Sequence, residues 1–169
     1  MTLAEMIIWN DYNDWANDRL CSMLKTAFGE ETDLRGHPDP AMRVIQESAA
    51  HIIQAQATWR SRLQGANLKG PLDAADYPTP LAIRFAFGAE RARFQGWLAT
   101  LKQDADLQKE VSYTNSQGAS YHEPLAQILQ HLVFHAMYHR GQITARLIDS
   151  GHEDAVLFTD LIVFYRERS

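Results

Sequence analysis

Apolar residues recur at spacings of three and four along most of the chain, the period of a helix with one buried face. Thr2 and Glu5 form a capping-box pattern that opens a first helix. Trp9, Tyr12, Ala16, Leu20, Met23 and Ala27 then trace a bundle seam that Gly29 ends. Asp39-Pro40 suits an N-cap and first turn, and predicts a second helix from about Ala41 to about Gln64. Its inward row reads Val44, Ser48, His51, Ala55, Trp59 and then Arg62 or Leu63, so a histidine falls within a core-directed face.

Gly65, Gly70, Pro71, Pro78 and Pro80 mark a long connection. Thr79-Pro80 then opens a third helix carrying Ile83, Phe87, Phe94, Trp97, Leu98 and Leu101. The helical signal fades from Asp104 to Tyr121. There Val111-Ser112-Tyr113 and Ala119-Ser120-Tyr121, parted by Asn115 and Gly118, suggest a small hairpin within 111–121. Glu123-Pro124 starts a fourth helix that Ser150-Gly151 stops after Asp149. Thr159-Asp160 offers a cap for a short C-terminal helix from Leu161 to Arg166, although Leu161–Tyr165 is β-rich enough for a strand. The expectation is an all-α four-helix bundle with long connections, in one domain over residues 1–169.

Composition narrows the function. The 169 residues hold 16 Lys and Arg against 21 Asp and Glu, a net charge of −5. A domain of this size buries enough surface to fold without a metal or disulfide staple. No basic cluster is present to neutralise a phosphate backbone, so nucleic acid is not an expected partner. No apolar run approaches ~18 residues, which argues against a membrane span. Met1 to Asp14 carries no Lys or Arg and does not read as a signal peptide. The single cysteine, Cys21, fits a reducing compartment, so a cytoplasmic location is expected.

The chemistry-bearing residues are histidines. His131, His135 and His139 share one face of the fourth helix, because each step of four residues turns the side chain by only about 40°. Two histidines one turn apart can aim both rings at one ion. A third ligand must come from another element, and His51 is the candidate. Which pair on the fourth helix joins it stays open on spacing alone. His37, His122 and His152 lie in or beside loops. Ala136 stands where a zincin carries its glutamate base, and no nucleophile elbow, Walker loop or dinucleotide fingerprint occurs. A di-iron centre lacks its Glu-x-x-His pairs, since Glu47 precedes His51 by four residues.

The run from His135 to Ile143, HAMYHRGQI, resembles the signature of the DinB family, damage-inducible four-helix-bundle proteins related to YfiT. Trp9–Asn17, the stretch from His51 to Trp59 and Leu63, and the tail from Thr159 to Glu167 resemble further blocks of that family in the same order. The resemblance implies a divalent metal ion, nickel or zinc, held by His51, His135 and His139, with His131 outside the ligand set. Phe134 and Met137 depart from the Asn and Thr often found there.

The wider superfamily includes thiol-dependent transferases and an isomerase. The resemblance therefore implies a metal-dependent enzyme of thiol-transfer type, taking a small-molecule substrate and a low-molecular-weight thiol. The alternatives are a metal-dependent hydrolase and a non-enzymatic metal-binding stress protein. Arg140 reads as a surface ion-pair member or as a donor beside the site, Gln142 and Glu47 as partners for imidazole N–H groups, and Gly141 as a site of close backbone approach or simple packing. Trp9, Tyr12, Trp15, Trp59 and Cys21 read as core. A homodimer stays open as the quaternary state.

Overall fold

The computed structural model describes every residue except 36, 67–72, 116 and 169. The sequence markers Gly70 and Pro71 therefore lie outside the described residues. Four long helices carry the fold: α1 (Leu3–Phe28), α2 (Pro40–Leu63), α3 (Pro80–Leu98) and α4 (Leu125–Asp149). Between α3 and α4 lies a hairpin of β1 (Glu110–Thr114) and β2 (Ser120–Pro124), and α5 (Leu161–Glu167) closes the described chain. No helix among the described residues is long and apolar enough to cross a membrane.

The helix starts are chemically specified. Thr2 and Glu5 exchange the two bonds of a capping box, while Asp39 and Thr79 cap helices that begin with proline. The principal contacts run around a ring in the order α1, α3, α2, α4, which puts α1 diagonal to α2. At one end Leu20, Leu24, Ile45, Ile83, Ile143 and Leu147 fill the core; at the other, Met6, Phe94, Leu98, Leu125 and Leu129 do so. Helices α2 and α4 consequently run antiparallel along a shared face.

The seam predicted for α1 is present, with Tyr12, Ala16, Leu20 and Met23 all buried. The row predicted for α2 is displaced. Ile45, Ala49, Ile52 and Gln56 point into the core, whereas Val44, Ser48 and Ala55 are half-buried and His51 is exposed. His51 thus stands on the rim of the buried face instead of within it.

The hairpin pairs Tyr113 with Tyr121 in register, and the two rings stack at 5.7 Å. Its turn closes through Asn115, whose Oδ1 accepts from the Gln117 and Ala119 N–H groups, and through Gly118 at φ 84°. Tyr113 also meets Trp59 of α2 edge-on at 4.6 Å, which ties the hairpin to the bundle.

The β-rich tail is helical because of what it docks on. Phe164 packs on Tyr12 and Trp15 at 5.8 and 5.6 Å, and Glu167 accepts from Trp15 Nε1 and Arg19. Only a helix brings residues three apart onto that one aromatic pad.

Candidate metal centre

One face of the α2–α4 pair collects the histidines. His51 projects from the middle of α2, and His135 and His139 from successive turns of α4. Each offers a ring nitrogen, and these three atoms lie within 4.8 Å of one another. His51 Nε2 and His135 Nε2 are 3.2 Å apart. An ion with metal–nitrogen bonds of about 2.1 Å and tetrahedral angles spaces its ligand nitrogens by about 3.4 Å, so the geometry suits a single ion.

Protonation states fit as well. His135 is pushed down to about 4, first by burial and then by the neighbouring His139, His51 and His131 rings. Burial, and then His139, also holds His51 below its ordinary value. Both rings are therefore neutral near pH 7 and keep a lone pair to donate. On His139, Nδ1 lies 2.8 Å from Gln142 Oε1. A carbonyl oxygen can only accept, so Nδ1 carries the proton and Nε2 is left free as a ligand atom.

His131 lies one turn away, its ring 5.3 Å from His135 and 5.9 Å from Trp59, and it does not belong to the group of three. The remaining histidines are occupied elsewhere. His152 packs on Phe28, His122 bonds Ser112, and His37 Nδ1 accepts from the Asp39 N–H. Three imidazole nitrogen donors with no carboxylate in the group suit nickel, zinc or another borderline ion better than magnesium or calcium.

Several neighbours differ from their sequence reading. Glu47 pairs with Arg43 at 3.6 Å on the surface and takes no part. Gly141 faces open space, with nothing within 4 Å of where a Cβ would stand, so it marks neither close approach nor packing. Phe134 and Met137 line a groove beside Trp9 and Tyr12. Trp59 is only half-buried and lines a cleft beside His131.

Arg140 is the largest correction. It is 1% exposed, and its Nη1 donates to Asn13 Oδ1 and Asn17 Oδ1 of α1, both at 2.8 Å. Asn13 and Asn17 were the signal for this. They stand one turn apart beside the apolar seam of α1, and buried amide oxygens need a donor.

A bundle with this histidine group defines a class, and the sequence comparisons agree with it. The DinB family profile matches residues 9–161. The chain is also similar to Protein DinB of Bacillus subtilis (strain 168), at 23% identity over 158 residues and 91% of each chain. The chain belongs to the DinB family.

Proposed function

We propose that His51, His135 and His139 hold one divalent cation, nickel or zinc, and that the protein is a metal-dependent enzyme of thiol-transfer type. The observation that carries this reading is the convergence of three imidazole nitrogens from two helices within 4.8 Å. When bound, the ion supplies a Lewis-acid centre that lowers the pKa of a thiol or water in contact with it.

The chain's own residues set the rest. Gln142 fixes the His139 tautomer, and the exposure of His51 leaves one side of the group open to a substrate. Hydrolysis benefits from a general base, and the group contains no carboxylate to act as one. Transfer needs only a sulfur nucleophile. That sulfur does not come from Cys21, which is buried and whose thiol burial pushes up to about 12. A low-molecular-weight thiol is the cosubstrate. Its sulfur forms a bond to an electrophilic carbon, the leaving group departs with the electron pair, and the thiol proton passes to solvent.

Elemental analysis of the purified protein and its alanine variants tests the site. One ion per chain is expected, lost in His51→Ala, His135→Ala and His139→Ala and kept in His131→Ala. Full retention in His51→Ala sinks the cross-helix site. Turnover of electrophiles is then compared with and without bacillithiol, mycothiol or glutathione. Metal-dependent turnover without a thiol moves the answer to hydrolysis, and none across the panel favours the metal-binding stress protein.

A further inference from the structure

The histidine face does not end at the group of three. Beyond His131 it opens into a cleft of about 290 Å³, lined by Trp59, Tyr113, Glu123, Gln127, Ile128 and His131. Three elements build it: α2 gives Trp59, the hairpin gives Tyr113 and Glu123, and α4 gives the other three. The rings His139, His135, His131 and Trp59 follow one another at 4.6, 5.3 and 5.9 Å, so cleft and histidine group share a continuous wall. A volume near 300 Å³ lies at the small end of organic-ligand sites.

The polar content of the cleft is specific. Among the described residues Glu123 is its one carboxylate, and neither lysine nor arginine lines it. Glu123 Oε2 is shielded from solvent, and the donor that approaches its carboxylate is the neutral Tyr113 phenol rather than a charged group. Such an atom is costly to bury, and a charged N–H donor satisfies it best. The Tyr113 phenol is raised by burial and then by the adjacent Glu123 carboxylate, which places the two groups side by side. Arg62 stands 4.8 Å over the Trp59 and Tyr113 rings, which meet edge-on at 4.6 Å, and it does not line the cleft. Electron-rich rings beside a carboxylate recognise a cation.

We propose that this cleft is the substrate subsite of the histidine face, and that it takes a small molecule with a flat apolar body and a cationic amine end. The body lies against the wall formed by Trp59, Tyr113 and Ile128, the amine meets Glu123, and the opposite end points past His131 towards the histidine group. Assigning that end to the reacting position rests on the metal reading above; the preference for an amine does not.

The test uses three probes of matched body: tyramine, N-acetyltyramine and 4-hydroxyphenylacetate. Binding is read from the Trp59 indole N–H resonance, assigned by its loss in Trp59→Phe. Tyramine is expected to shift that signal saturably, with the acetylated and carboxylate probes at least tenfold weaker. Glu123→Gln should weaken tyramine at least tenfold, and Gln127→Ala severalfold, both with unchanged circular dichroism. Equal or tighter binding of 4-hydroxyphenylacetate, or unaltered tyramine binding in Glu123→Gln, overturns the proposal. The titration is run on wild-type protein with and without added zinc, and the metal content of Glu123→Gln is measured alongside. Tyramine binding that persists in a protein unable to take up metal refutes the metal reading alone; metal uptake without tyramine binding refutes the cleft alone.

Discussion

On the side of α4 that meets α1, Arg140 is 1% exposed and donates to two asparagine side chains. On the side that meets α2, His135 and His139 are half-buried and converge on the exposed His51, with no carboxylate in the group. One helix thus carries two polar assemblies built to opposite rules. The α1 side supplies the buried Asn13 and Asn17 oxygens with a donor from inside the protein, so that the bonds fix how two helices sit on each other. The α2 side brings three ring nitrogens within 4.8 Å of one another, an arrangement that a shared proton or a cation can bridge. Burial goes with structure here, and partial exposure goes with binding.

The α1 side is the place for the largest effect. Arg140→Ala leaves the Asn13 and Asn17 oxygens without their donor and opens a void in the core. Unfolding free energy should fall by about 3–5 kcal/mol, with the loss equal in the presence and absence of metal. Urea midpoints with and without zinc measure it. A loss below about 1 kcal/mol means the seam does not hold α1 to α4. Among the described residues the guanidinium's Nε and Nη2 donate to no side chain in good bonding geometry, the Tyr12 ring lies 5.8 Å away, and burial lowers its pKa. An apolar residue of similar length should therefore be tolerated better than alanine.

The α2 side should respond in the reverse sense. Gln142 is exposed, so Gln142→Ala should leave the stability of metal-free protein within about 0.5 kcal/mol. It removes the acceptor that fixes the His139 tautomer, and metal affinity should fall about 10- to 100-fold. Competition against a chelating dye reads this directly. Unchanged affinity together with lost stability would invert the comparison between the two sides.

Much of this was legible in the sequence, and the exceptions have physical causes. The α1 and α3 rows are unambiguous because large apolar residues alternate with charged ones. The capping residues and the hairpin turn were readable for the same local reasons. Helix α2 is rich in Ala, Ser and Gln, whose faces contrast weakly, and the row read as inward was one position from the buried one. His51 was still singled out, because a residue one position from the buried row stays on the face that meets α4. Arg140 was misread because arginine is seldom fully buried. The cleft was not legible at all. It depends on the hairpin bringing Tyr113 and Glu123 against Trp59, more than fifty residues earlier in the chain.

Asp14 gives the smallest effect and probes the α1 side from a second direction. It is buried beside Asn13, accepts from Gln95 Nε2 at 2.9 Å, and lies 3.8 Å from Arg91 Nε. Burial raises its carboxyl from 3.8 to about 6, against the opposing pull of Arg91. Between these two values the folded protein holds a proton that the unfolded chain has released. Folding stability from this group is therefore complete below about pH 4, declines as pH rises towards 6, and stays lost at pH 7. Asp14→Asn keeps the bond from Gln95, removes the titration and forgoes the attraction to Arg91. The variant should gain on the wild type by on the order of 1 kcal/mol between pH 4 and pH 7. Urea denaturation at pH 4, 5, 6 and 7 follows the difference. Parallel stability curves would show that Asp14 titrates as it does in the unfolded chain, and that the α1 side shields its polar groups less than the burial of Arg140 implies.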